Sequence, residues 1–450
     1  MTNMQQHLTL ARALRVSSSP CIAFIGAGGK TTAMFQLARE LPSPVIVTAT
    51  SHLGIWQTEF ADTHIIAESP APLEELEHGL KGVILITGGI DGERTRPVHS
   101  DLLNWLQQFC SYHDIPFLIE ADGSREKPLK AWADHEPPIP LFVETVVQVV
   151  GLTGVGKPLI EGYVHRAEIF SHLSSLNLGE PVTPDSLVRV LTHPESAIGK
   201  IPARARRIVV LNQADAPELQ SLAQGLSQPL LKAYDSVIIS NLKQERIWAV
   251  HEPVAGIVLA AGESTRYGQP KQLLDWKGQP FVRAVAKTAL QSGLSPVLVV
   301  TGANAEQVES TVTDLDVIVI RNEQWKTGQA SSIRTGVGPL VEPYAPNTGG
   351  AIFLLADQPQ VSGSILRGLL EKHAEELYPI VAPLVMDRRA NPVLFDRATF
   401  PDLLALEGDV GGRAVFHKHH VEYLPWHDDR LLLDVDTPEM YQRLISDDSL

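Results

Sequence analysis

The chain has 450 residues, with 52 acidic against 37 basic side chains and a formal charge of −15. That length exceeds one ordinary core, so two or three domains are expected, and 44% hydrophobic with 20% charged content is that of a globular protein. The acidic balance excludes a general nucleic-acid binder, which needs a basic face, but not a nucleotide site, which needs only local cations or a metal.

Two cysteines, Cys21 and Cys110, are too few for a disulfide framework or a cysteine zinc site, and both are read as buried thiols. The opening "MTNMQQHLTLARALRV" lacks the apolar run of a signal peptide. No stretch is apolar for long enough to span a bilayer, so a cytoplasmic protein with no membrane partner is expected.

In chain order, "IAFIG", "VIVTA", "GVILIT", "FLIEA", "VVQVVG", "RIVVLN" and "SVIIS" are apolar, β-branched runs that predict buried parallel strands. Stretches 30–40 and 99–113 between them have helical spacing. The polar segment 241–253, "NLKQERIWAVHEP", is read as the division between domains. A second series follows, "GIVLAA", "PVLVVTG", "DVIVI" and "AIFLLAD", with helical spacing over 281–292 and 362–375. This alternation predicts an α/β protein with parallel sheets, in two unlike domains over 1–245 and 254–450. Ligands in such sheets collect at the carboxyl ends of strands, where two glycine loops fall.

The first loop, "FIGAGGKTT", places Gly26, Gly28 and Gly29 before Lys30, Thr31 and Thr32. Glycines let backbone N–H groups close on phosphate oxygens, the lysine meets terminal phosphates, and a threonine hydroxyl can hold Mg²⁺. The spacing departs from the usual P-loop, because Phe24 stands where its first glycine would be. A tight strand-to-helix turn is the plainer alternative, and the Lys-Thr pair directly after the glycines favours binding of ATP or GTP. Glu120 and Asp122, in "FLIEADGSREKPLKA", end a later strand where a magnesium ion beside a phosphate loop is expected. A solvated pair capping the next turn is the other reading. "VVLNQAD", 209–215, looks like the Asn-x-x-Asp element that reads guanine in GTPases, with Gln213 at the usual lysine. An ordinary strand-to-loop turn is its equal alternative.

Taken in order, "GAGGKTT", "TATSHLG", "EADGSREKPLKAWADHEPPIP" and "NQAD" resemble the selenium-dependent hydroxylase accessory protein family (YqeC-like) over about residues 15–240. The resemblance implies a nucleotide-binding role in the maturation of molybdenum hydroxylases. Its expected partners are the apo-hydroxylase or a maturation chaperone. His52, in "TATSHL", is a candidate site residue by position.

The second loop, "IVLAAGESTRYGQPK", ends a strand in small residues and continues to Arg266 and Lys271, suited to the charge of a triphosphate. Nucleotidyl transfer needs groups held in line and charge neutralised, and little covalent help from the protein. Carboxylates for Mg²⁺ are expected at later strand ends: Asp357 in "AIFLLADQPQV", and Asp434 and Asp436 in "LLLDVDTPEMYQRL". Asp436 also stands where a helix N-terminus would be capped. "HKHH", 417–420, is read as a solvated turn rather than a metal cluster, and Trp325 as either a stacking or a core aromatic.

The ordered set "LAAGESTRYGQPK", "NEQWKTGQASSIRTG", "LADQPQV", "NPVLF", "GDVGGRAVF" and "DVDTPE" resembles the molybdenum cofactor cytidylyltransferase family (MocA-like), over nearly all of 254–445. The resemblance implies a Rossmann-like nucleotidyltransferase domain that joins CMP from CTP to Mo-molybdopterin, giving molybdopterin cytosine dinucleotide and pyrophosphate. By position, Leu259, Ala260, Ala261 and Gly262 would contact the nucleotide, with Arg266 and Lys271 on its phosphates. Gln329, Ser331 and Ser332 would lie near it, and Asp357 and Asp436 would hold Mg²⁺. Asn391, Pro392, Asp409 and Arg413 would face the pterin. Ala390 and Tyr267 depart from the family's usual glycine and methionine. "LAAG", where guanylyl-transferring relatives have "LAGG", favours CTP. The rivals are a guanylyl- or other nucleotidyltransferase on a phosphorylated small molecule, and a non-catalytic cofactor carrier or chaperone. For the first domain alone, an NTPase switch is a third.

Overall fold

In the computed structural model, which describes residues 8–70, 79–263, 267–341 and 347–447, every apolar run named above forms a strand. Strands covered by helices on both faces need apolar residues throughout, and Val45–Ala49, Val83–Thr87 and Val297–Thr301 are buried at every position. The chain divides into two compact units, Met1–His251 and Glu252–Leu450.

Among the described residues, the main sheet of the first unit has nine strands: β1 (Cys21–Gly26), β2 (Val45–Ala49), β3 (Thr63–Ile66), β4 (Val83–Thr87), β5 (Phe117–Glu120), β6 (Thr145–Gly151), β7 (Arg206–Asn212), β8 (Ser236–Asn241) and β9 (Arg246–His251). They lie in the order β9-β8-β7-β6-β1-β5-β2-β4-β3, parallel except for β9. From β1 the chain proceeds towards β2, and from β6 in the opposite direction towards β7. The ends of β1 and β6 therefore form the crevice where ligands bind in doubly wound sheets.

The segment read as a division is not a linker. Arg246–His251 pairs antiparallel with β8, His251 opposite Val237, so the first unit runs past residue 245. Ile247, Ala249 and Val250 are buried while Arg246, Trp248 and His251 are partly exposed, the mixed pattern of an edge strand.

The second unit is built on β10 (Val254–Ala260), β11 (Val297–Thr301), β12 (Ile318–Arg321), β13 (Gly350–Leu355), β14 (Ile380–Val385), β15 (Arg388–Arg389), β16 (Val393–Asp396) and β17 (Val421–Pro425). The order is β12-β11-β10-β13-β16-β14-β15, with β17 paired to β14. β10 sits between parallel β11 and β13, whereas β16 runs antiparallel between β13 and β14. Alternate residues of β10 feed two cores. Val258 packs with Val282, Val285 and Leu366 on one face, and Ile257 with Ile333, Val337 and Phe353 on the other.

Candidate functional site

In the first unit, β1 ends at Gly26 and the helix Lys30–Glu40 starts directly after Gly29. Gly29 has φ +127°, and a Cβ there would lie 2.4 Å from Asn212 Nδ2, so the loop passes at a distance only glycine allows. The first turn of the helix leaves N–H groups without intrahelical acceptors and its positive end towards the loop, a ready anion site. Beneath the loop, Gly26 N–H donates to both oxygens of Asp122, at 3.2 and 3.1 Å. Trp132 Nε1 donates to the same carboxylate at 2.7 Å, and Lys130 Nζ lies 3.0 Å from it. Lys30, 4% exposed, stands 3.4 Å from Asp122 and 3.9 Å from Glu120. Thr31 donates its hydroxyl to Glu120 at 2.8 Å and accepts from Gln57 at 2.7 Å. Burial pushes the Glu120 carboxyl above its ordinary range, against the pull of Lys30 and Thr31.

Lys130 also reaches Glu136 at 3.1 Å, and Arg166 pairs with Glu136 through both terminal nitrogens. Burial pushes Glu136 up, but the Arg166 hydrogen bond and Lys130 outweigh it and hold the group at about 2. A cavity of about 1060 Å³ lies over this set, lined by Lys30, Thr31, His52, Glu120, Glu136 and Arg166 among others.

In the second unit, the loop after β10 and the turn after β13 border a cavity of about 660 Å³. Lys271 Nζ lies 2.8 Å from Asp357 Oδ2 and 2.9 Å from Asp436 Oδ1. Burial alone would lower the pKa of this ammonium, yet Asp357 and Asp436 reverse that and hold it raised. Gln272 fixes the glycine loop by donating to the carbonyls of Gly262 at 2.6 Å and Ala260 at 3.3 Å. Asn322 donates to the hydroxyls of Ser331 and Ser332 at 2.8 and 3.0 Å. Gly328 has φ +110°, and a Cβ on it would stand 2.5 Å from Asp409 Cα. Beside it, Gln329 N–H donates to Asp409 Oδ1 at 3.2 Å. Asp434 is pushed up by burial, accepts from Gln358 at 2.7 Å, and feels the neighbouring charges of Asp357 and Asp436.

The family model for the MobA-like NTP transferase domain matches residues 256–423, and that for the YqeC protein matches 22–168. "Uncharacterized protein YqeC" of Escherichia coli (strain K12) is 32% identical over 219 residues, 46% of this chain and 82% of its own. "Nicotine blue oxidoreductase" of Paenarthrobacter nicotinovorans is 30% identical over 201 residues, 43% of this chain and 96% of its own. The chain belongs to the MobA-like NTP transferases and carries a YqeC domain ahead of that domain. A "Probable molybdenum cofactor guanylyltransferase" of Bacillus mycoides (strain KBAB4) is 27% identical over 135 residues, 30% of this chain and 64% of its own.

In the transferase domain, Leu259, Ala261, Gly262, Lys271, Gln329, Ser332, Asp357, Asp409 and Asp436 come together around the one cavity. Ala260 and Ser331 do not line it. The Ala260 side chain packs in the core, and Ser331, 3% exposed, donates to Gly328 O at 2.8 Å. Asn391, Pro392 and Arg413 are also absent from the lining; Arg413 is exposed and donates to Arg389 O at 3.4 Å. Of the four residues expected on the pterin side, the cavity gathers Asp409. Arg266 lies outside the described residues. Trp325 lines the cavity, with the Lys326 ammonium 5.3 Å from its ring centre. In "HKHH", Lys418 and His419 both pair with Asp402, at 2.7 and 2.8 Å, as a surface turn.

In the YqeC domain, Gly28, Gly29, Lys30, Thr31, Thr32 and Glu120 line the cavity. Gly26 and Asp122 lie under it. Asp122 was expected beside a bound cation; instead its side chain is 0% exposed and its oxygens are taken by Gly26, Trp132, Lys130 and Lys30. It holds the loop and has no lone pair to offer a ligand. Sequence reasoning missed Lys130, Glu136, Arg166, Gln272 and Asn322. Two of these, Lys130 and Glu136, stand inside the distinctive block "EADGSREKPLKAWADHEPPIP", and Gln272 directly follows Lys271.

Among the described residues no preassembled group of three or more His, Cys, Asp or Glu side chains could hold a metal. The pair Asp357 and Asp436 fits a divalent ion completed by phosphate oxygens and water, since the two carboxylates already converge on one cation, that of Lys271. No helix among the described residues is long and apolar enough to cross a membrane.

Proposed function

We propose that the transferase domain transfers CMP from CTP to the terminal phosphate of Mo-molybdopterin, releasing pyrophosphate. The observation that carries this reading is the convergence of Lys271, Asp357 and Asp436 in the cavity lined by Leu259, Ala261 and Gly262. A phosphate oxygen of the acceptor attacks the α-phosphorus; the new P–O bond forms as the bond to the β-phosphate's bridging oxygen breaks, and pyrophosphate departs with that electron pair. The attacking phosphate is already ionised, so no catalytic base is needed. What the chain must do is align the two phosphates and offset their charge.

Lys271 stays protonated at neutral pH because two carboxylates flank it, and it meets the triphosphate as a cation. Mg²⁺, held by Asp357 and Asp436, would supply further neutralisation of charge on the phosphates. Gln272 fixes the loop carbonyls so that its amides keep their place. The base choice rests on the resemblance: residues 259–262 read "LAAG", where guanylyl-transferring relatives have "LAGG".

The YqeC domain binds a nucleoside triphosphate at Gly28–Thr32 and acts in delivery of the product to a molybdenum hydroxylase or its maturation chaperone, in the cytoplasm. Tethering the two domains keeps a labile product at high local concentration near the second one.

The test is pyrophosphate release by the full chain with Mg²⁺, Mo-molybdopterin and a panel of nucleotides. CTP-dependent release, abolished by Asp357→Ala, supports the reading. Turnover with GTP in preference to CTP would replace it with guanylyl transfer, and CTP binding with no pyrophosphate under any acceptor would make the domain a carrier.

A further inference from the structure

The YqeC domain has a second cavity, of about 710 Å³, that shares Gly28, Gly29 and Thr32 with the phosphate-side cavity. Its other walls come from the ends of three neighbouring strands: Thr153 after β6, Asn212 at the end of β7 with Gln213 and Asp215 beyond it, and Asn241 at the end of β8 with Lys243 and Gln244 beyond it. We propose that this cavity takes the base of a guanine nucleotide whose phosphates lie on Gly28–Thr32, with Asp215 reading the base's N–H edge. The proposal rests on the phosphate-loop reading above and adds the identity of the nucleotide.

Asn212 ties this cavity to the phosphate loop. Its Nδ2 donates to Gly28 O at 2.7 Å, and its Oδ1 accepts from Leu242 N–H at 2.9 Å and from the Ser240 hydroxyl at 3.3 Å. One buried side chain thus fixes the loop against both walls, so the distance from phosphates to base is set before a ligand arrives. The volume lies within the range of small-ligand pockets.

Asp215 lies three residues past Asn212, with Gln213 between them at φ +65°. Gln213 accepts from the Thr153 hydroxyl, and Lys243 enters the same cavity from the neighbouring strand end. Lys243 therefore supplies, from β8, a cationic side chain whose aliphatic stem can cover a ring face. Asp215 is exposed and, among the described residues, meets no hydrogen-bond donor and no cation.

A free carboxylate discriminates bases by acceptor count. Guanine presents two adjacent donors, N1–H and the 2-amino group, which a carboxylate accepts together. Adenine places the N1 lone pair, and cytosine the N3 lone pair, where the second carboxylate oxygen would meet it. Uracil has one donor between two carbonyls. The acidic wall therefore selects guanine and repels the others.

The experiment titrates full-length protein with fluorescent GTP, ATP and XTP analogues, comparing wild type, Lys30→Ala and Asp215→Asn. Binding lost in Lys30→Ala belongs to this site, which separates it from the transferase cavity. GTP should bind there about 10- to 100-fold more tightly than ATP, the scale of a charge-assisted hydrogen bond. Asp215→Asn should lose that preference and gain affinity for XTP, whose 2-oxo group accepts from the new amide. The gain also shows that the variant is folded. Equal Lys30-dependent affinity for GTP and ATP, or an unchanged ranking in Asp215→Asn, overturns the guanine assignment while leaving the phosphate loop standing. Binding indifferent to Lys30→Ala for every nucleotide removes the phosphate loop, and the base pocket with it.

Discussion

The ammonium of Lys271 lies 2.8 Å from the carboxylate of Asp357, joining the loop after β10 to the turn after β13. Lys271→Met should reduce pyrophosphate release by about 100- to 1000-fold, the usual cost of losing one transition-state charge partner. Asp436, with half of its side chain exposed, should matter less than Asp357. Steady-state assays of Asp357→Ala and Asp436→Ala check that order, and equal losses would contradict it. Chelation by EDTA should stop turnover, with recovery on adding Mg²⁺.

Asp122 anchors the first loop through four partners while remaining wholly buried. Asp122→Ala would leave Lys130 and Lys30 short of a counter-charge in a dry site. Such a loss costs about 3–5 kcal/mol, to be read from the urea midpoint of the first unit's unfolding. A change below about 1 kcal/mol, the scale of a surface pair, would show the anchor to be unimportant.

Glu136 sets an acid limit on the YqeC domain. Burial pushes its carboxyl up, but Arg166 and Lys130 hold it at about 2 against 4.5. A carboxyl depressed in the folded state contributes stability that is complete above its unfolded pKa and is lost as pH falls towards the folded one. Melting temperatures of the wild type should fall more steeply from pH 4.5 to 2 than those of Glu136→Gln. Glu120, shifted the opposite way, is present in both proteins and drops out of the difference. Parallel curves across the window would contradict the Arg166–Glu136–Lys130 arrangement.

Gly29→Ala places a methyl 2.4 Å from Asn212 Nδ2 at a φ of +127°. About 1–3 kcal/mol of strain should follow, together with weaker nucleotide binding at Lys30. Stability and fluorescent-nucleotide titration report the two effects separately.

The parallel strands of the sheet interiors were legible because burial on both faces leaves an unbroken apolar run, as in "VIVTA" and "VILIT"; β3, parallel but largely exposed at Thr63–Ile66, was not. β9 was not, because an edge strand mixes buried Ile247 and Ala249 with partly exposed Arg246 and Trp248 and looks like a polar connection. Strands β14, β16 and β17 were missed for a related reason: antiparallel β16 is four residues ending in Asp396, β14 is interrupted by Pro383, and β17, parallel to β14, is partly exposed and ends in Pro425. At the sites, the glycine loops, Lys30, Lys271 and Asp357 could be found because each chemistry demands its residue type at a strand end. Gln272, Asn322 and Lys130 act by holding loop carbonyls or other side chains, and no composition or spacing marks that work. Asp122 was legible as important and misread in kind, since a sequence cannot tell a carboxylate facing solvent from one facing its own backbone.

β9 also bears on how this protein can be divided. A polypeptide ended at Glu245 would remove the strand that caps β8 and expose a row of unpaired backbone groups beside Val237, Ile238 and Ile239. Bare edges of that kind recruit further strands and drive self-association. A soluble, well-behaved first half has to extend through His251, and an insoluble shorter one would report the missing edge strand rather than an inability of the domain to fold.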